Sequence, residues 1–132
     1  MSYRAGMHRS RLTAFVIDCQ TEDLAASARF WAGAIGRPVK PGENPETEKY
    51  VALDTRPDEL GMLLQRVDHA SRVHLDIETD DIDAEVARLE ALGAKRVEKI
   101  STWWVLEAPT GHRFCVVRPQ RGPLGDDANV WP

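Results

Sequence analysis

The order of hydrophobic and polar positions predicts seven strands and two helices. Leu12–Cys19 (LTAFVIDC) is rich in β-branched and aromatic residues and predicts a strand. Thr21 is placed to cap a helix, with Glu22 and Asp23 in a first turn where acidic groups suit the dipole. Leu24, Ala28, Trp31 and Ile35 then recur at helical spacing, which makes Trp31 a core residue. Gly36 suits the residue after the helix, and Pro38 bars its continuation. Pro41–Pro45 reads as a loop, Tyr50–Asp54 as a strand, Arg56–Leu60 as a turn and Gly61–Val67 as a strand.

Over Arg72–Glu78 the alternation is strict. Arg72, His74, Asp76 and Glu78 share one face, and Val73, Leu75 and Ile77 share the other, predicted to pack under a second helix. Thr79–Asp81 opens that helix, Ile82, Val86, Leu89 and Leu92 form its stripe, and Gly93 ends it. Lys95–Ile100, Trp103–Glu107 and Arg113–Arg118 predict strands, with a tight turn at Pro109–Gly111. Residues 1–11, with Arg4, His8, Arg9 and Arg11, read as a basic arm and a partly disordered terminus. Residues 119–132 read as a tail carrying an isolated Trp131.

One order, strand–helix–three strands, occurs twice, over about residues 12–67 and 72–118, with a weak second strand in the first copy. A shift of 58 residues aligns Asp18 with Asp76, Thr21 with Thr79, Asp23 with Asp81, Ala26 with Ala84 and Val39 with Val97. Neither copy easily buries its own sheet, so residues 12–118 are expected to form a single domain.

Composition narrows the function classes. The chain has 132 residues, 17 basic against 21 acidic, without a basic stripe, which argues against nucleic-acid binding. The apolar run Leu12–Ile17 is far too short to cross a bilayer. With no secretory pattern at the start, Cys19 and Cys115 are expected to be reduced and the protein cytoplasmic. Gly-rich phosphate loops, serine nucleophile elbows and Cys-x-x-Cys pairs are missing from the sequence.

Three stretches, TEDLAASARFWAGAIGRPV, VHLDIETDDIDAEVARLEALGA and EAPTGHRFCVV, together resemble the vicinal oxygen chelate superfamily over about residues 12–118. That superfamily holds glyoxalase I, extradiol dioxygenases and bleomycin-resistance proteins, and the chain is most similar to its small glyoxalase-like domain proteins. The resemblance implies an α+β fold: two βαβββ modules forming curved mixed sheets around a cleft, with helices on the outer faces. In metal-dependent members four cleft residues hold one divalent ion. Those positions fall on Val16, Gln65, His74 and Cys115, a degenerate set, so no metal and no other cofactor is expected.

The polar face of Arg72–Glu78 then supplies the candidate chemistry. His74 and Asp76 are candidate acid/base groups, with Asp18 the pseudo-symmetric partner of Asp76. Gln65, Cys115, Asp18, Trp103 and Trp104 are candidate ligand contacts, although adjacent tryptophans point to opposite faces and one belongs in the core. His69 and His112 are expected to be exposed. Two readings follow. One is a small-molecule-binding protein of the resistance or sequestration type. The alternative is a lyase or isomerase using His74 and Asp76, metal-dependent only if the incomplete ligand set suffices. A homodimer is expected, by family analogy and from the apolar surplus of Val130, Trp131 and one strand tryptophan.

Overall fold

The computed structural model describes residues 7–132, so Arg4 of the basic arm lies outside the described residues. Among them are eight strands and two helices: β1 (His8–Gln20), α1 (Leu24–Ile35), β2 (Tyr50–Ala52), β3 (Gly61–Val67), β4 (Arg72–Thr79), α2 (Ile82–Ala91), β5 (Lys95–Ile100), β6 (Trp103–Glu107), β7 (Arg113–Val117) and β8 (Asn129–Trp131). The fold is α+β, built from two βαβββ modules. In the first, the second strand is reduced to a single antiparallel bridge, Val39 to Leu53. Pro41 and Pro45 follow that bridge and cannot donate to a ladder. Among the described residues no helix is long and apolar enough to cross a membrane.

The chain divides into two compact units, Ala14–His74 on one hand and the residues up to Thr13 with Leu75–Pro132 on the other. In the unit Ala14–His74 the strand order is β2–β3–β1, with β3 parallel to β1 and antiparallel to β2. Leu64 faces Ile17 on one side and Val51 on the other. These three, with Cys19 and Leu53, pack beneath Leu24 and Ala28 of α1, and Trp31 and Ile35 join them as predicted. Burying a side chain such as Leu64 contributes about 1.5–3 kcal/mol. The helix is capped by Asp23, not Thr21: the Asp23 carboxylate accepts from the Ala26 N–H at 3.0 Å. Thr21 sits two residues earlier and accepts from the Asp23 N–H at 3.0 Å. Gly36 closes the helix at φ 76°.

In the other unit β4 is parallel to β7, and β6 is antiparallel to both β7 and β5. Val86 and Leu89 of α2 pack on Leu106 and Val116, with Ile77, Phe114 and Trp104 around them. Of the three apolar β4 residues predicted to lie under α2, only Ile77 does. Val73, in the other unit, is 57% exposed, and Leu75 is exposed as well. The ten-residue α2 is too short to reach further along the strand. Leu92 caps the helix and is 70% exposed, so the stripe ends at Leu89.

The arm and the tail need correction too. β1 begins at His8 rather than Leu12, and β8 pairs antiparallel with it, His8 opposite Trp131. Buried polar groups hold this edge. His8 Nε2 lies 2.8 Å from Glu85 Oε1, and Arg88 bonds the same carboxylate through two nitrogens at 2.8 and 2.7 Å. Arg11 pairs with the buried Glu78 and with Asp127. Trp131 donates from Nε1 to Ser10 Oγ at 2.8 Å, and the Arg88 guanidinium lies 3.9 Å from its ring centre. Trp131 is therefore engaged within its own chain and is not surplus apolar surface.

Candidate functional site

Strand alternation sends Ile17, Cys19, Leu64 and Val51 to the α1 side. It leaves Val16 and Asp18 of β1, Gln65 of β3 and Tyr50 of β2 on the opposite face. Asp18 is in register with Gln65, and Gln65 with Tyr50. The Gln65 amide donates to the Tyr50 hydroxyl at 3.2 Å.

The charged part of this face is built around Asp18, which is only 3% exposed. Its Oδ2 lies 2.9 Å from Nδ1 of His74. Its Oδ1 is buried without a hydrogen-bond partner. A carboxylate only accepts, so Nδ1 of His74 donates to it and the ring's basic lone pair sits on Nε2. Asp18 thus sets both the tautomer and the angle of the ring. Arg72 comes less close: its Nε is 3.7 Å from Asp18 Oδ2, its Nη2 is 3.3 Å from His69 Nε2, and its side chain is 46% exposed. The set can take up and return a proton at His74, with the resulting positive charge facing a fixed carboxylate.

Asp18, Gln65 and His74 thus come together in the unit Ala14–His74. Asp76 was expected to act with His74 as a second acid/base group; within this unit the ring bonds Asp18. Tyr50 was missed, although the alternation of Tyr50 and Ala52 against Val51 and Leu53 carries the signal for its face. His69, expected in an exposed linker, backs Arg72.

Asp76, Cys115, Trp103 and Trp104 belong to the other unit. There Asp76 is in register with Cys115, and Cys115 with Val105. Trp103, two residues before Val105, shares their face. Trp104 lies on the reverse face in the α2 core, with the Arg96 guanidinium 4.9 Å from its ring centre. Alternation therefore takes Trp104 off the face that carries Asp76 and Cys115. Cys19 is buried on the α1 side, where burial pushes its thiol pKa up against a lowering hydrogen bond from Ser27.

Val16, Gln65, His74 and Cys115, the four positions to which the resemblance assigns a divalent ion, do not carry a matching donor set. Val16 is apolar and buried. The Gln65 amide is engaged with Tyr50. The fourth position holds a buried thiol, Cys115.

The family of glyoxalase-like domains matches residues 14–117. No curated protein matches the chain. Similar solved structures include a glyoxalase/bleomycin resistance protein/dioxygenase superfamily member from Vibrio splendidus, at 22% identity over 81% of this chain and 98% of that one, TM-score 0.51. Methylmalonyl-CoA epimerase from Streptomyces coelicolor matches at 19% identity over 82% of this chain and 96% of that one, TM-score 0.54. Homoprotocatechuate 2,3-dioxygenase from B. fuscum matches at 15% identity over 86% of this chain and 33% of that one, TM-score 0.57. At these identities the likeness is one of fold.

Proposed function

Since this chain belongs to the family of glyoxalase-like domains, we propose that it binds a small organic molecule against the Asp18–His74 face and exchanges a proton with it, as a lyase or isomerase does. The observation that carries this reading is the 2.9 Å contact between Nδ1 of His74 and the buried Asp18 carboxylate. A histidine held in one tautomer by a carboxylate is equipped for general acid–base work. His74 Nε2 takes a proton from an acidic C–H or O–H of the ligand, the imidazolium is balanced by Asp18, and the proton returns to a different atom or face. Gln65, Tyr50 and Arg72 bind and orient the ligand.

A second reading is sequestration without turnover. The apolar Val16 and the Gln65–Tyr50 pair favour it, because they offer shape and hydrogen bonds and no acidity at neutral pH.

Ligands found by thermal shift, then incubated in D2O and followed by proton NMR, separate the two. Proton exchange predicts deuterium entering the bound molecule, slowed about 10²–10⁴-fold by His74→Ala. Binding with no exchange establishes sequestration. Binding that His74→Ala leaves unchanged overturns both readings.

A further inference from the structure

We propose that Arg72 is the specificity-determining residue of this site and that it selects a ligand carrying a carboxylate. The proposal rests on the reading of His74 given above.

Other arginines of this chain show what a committed ion pair looks like. Arg37 holds Glu59 through Nε at 2.8 Å and Nη2 at 2.9 Å. Arg88 holds Glu85 in the same two-pronged way at 2.8 and 2.7 Å. Arg72 differs. It meets Asp18 through one nitrogen at 3.7 Å, beyond hydrogen-bond range. The same carboxylate oxygen is already taken by His74 at 2.9 Å. His69 Nε2, 3.3 Å from Arg72 Nη2, steadies the fork without neutralising it. The guanidinium is nearly half exposed, while the Asp18 carboxylate behind it is buried. A planar five-donor fork that is positioned but not clasped matches the geometry of a carboxylate.

Position gives the second constraint. Arg72 and His74 are alternate residues of β4 and project from one face, about 6.6 Å apart along the strand. A carboxylate on Arg72 therefore places the adjoining carbon skeleton beside the imidazole, where a hydrogen made acidic by a neighbouring carbonyl or ring meets Nε2. The charge count points to a monoanion. One arginine, partly offset by Asp18, suits a carboxylate better than a phosphate dianion, which calls for more positive charge. Tyr50, in register with Gln65 on this face and exposed, adds an aromatic surface for a flat body.

The test uses the full chain and paired probes: phenylacetate, mandelate and benzoate, each with its primary amide, plus phenyl phosphate, by calorimetry and thermal shift. At least one acid is expected to bind about tenfold or more tighter than its amide. Arg72→Gln should erase that preference, and Arg72→Lys should keep only part of it because it lacks the fork. Acids and amides that bind alike, with both weakened by His74→Ala, overturn the carboxylate proposal and leave the His74 reading standing. Acid preference that persists in Arg72→Gln, or phenyl phosphate binding tighter than every acid, overturns it too, as does no binding by any acid. Probe binding indifferent to His74→Ala brings down the underlying reading.

Discussion

Nδ1 of His74 and Oδ2 of Asp18 are 2.9 Å apart, although 56 residues of chain separate them. The contact joins an imidazole to a carboxylate whose other oxygen is buried without a partner. Such an oxygen costs about 1–3 kcal/mol, which a purely structural pair has little reason to retain. Asp18→Asn should therefore alter stability by no more than about 1 kcal/mol while releasing the ring. The check is nitrogen NMR of the imidazole: protonated at Nδ1 in the native chain, and moved toward the Nε2-protonated form in Asp18→Asn. An unchanged tautomer would show that Asp18 does not set it.

Acid should loosen the molecule, and the direction follows from two carboxyls. Burial pushes Glu85 up, but hydrogen bonds from Arg88, His8 and Ser10 together hold it below the ordinary carboxylate range. Glu59 is held down to about 2, first by its hydrogen bonds from Arg37 and then by the Arg56 N–H. A carboxyl lowered on folding gives stability that is complete above its unfolded value of about 4.3 and fades as pH falls through the folded one. Melting temperature should hold near neutrality and drop from about pH 4.5 toward pH 2. Glu85→Gln should cost about 1–3 kcal/mol at pH 7 and shrink the acid-induced loss, as read by denaturant titration at two pH values.

Gly93 answers two demands at once. Its φ is 111°, and a Cβ there would lie 3.1 Å from Cγ of Pro109. Gly93→Ala should cost about 1–3 kcal/mol. Gly36→Ala has φ 76° but open space around it, and should cost about 1 kcal/mol. Urea titration of both variants decides whether crowding adds to the backbone penalty; equal losses would show that it does not.

The terminal strand should be a stabilising part of its unit. Trp131→Ala removes the bond to Ser10 and the stacked Arg88, for a loss of about 1–3 kcal/mol. A thermal melt of the variant within experimental error of the native chain would refute this role.

Regular, strongly patterned segments were legible. β3, β5 and β6 run over the residues the alternation marked, and the stripe of α1 packs as its spacing demands. The edge of His8–Arg11 and Asn129–Trp131 was not, because its pairing is held by buried Glu, His, Ser and Arg contacts between residues distant in sequence. Such contacts leave no periodic trace. The chemistry was half legible. The alternation of β4 put His74 on a polar face, and the internal repeat drew attention to Asp18. Local spacing grouped His74 with Asp76 as acid/base candidates, and the folded unit adds the bond from His74 to Asp18. The face of Tyr50 was readable from the alternation around it, whereas the loose placement of Arg72 emerges only once strand neighbours are known.

The measurement that bears most directly on the His74 site is calorimetric titration of a ligand identified by thermal shift into the native chain, His74→Ala and Asp18→Asn, with melting curves of the unliganded proteins alongside. His74→Ala should lose about 1–3 kcal/mol of binding free energy, roughly 5- to 150-fold in affinity, and should also lower the melting temperature because it strips the buried Asp18 carboxylate of its bonded partner, with Asp18→Asn intermediate in affinity. Unchanged affinity with a lowered melting temperature would contradict the account and make the Asp18–His74 pair a structural clamp.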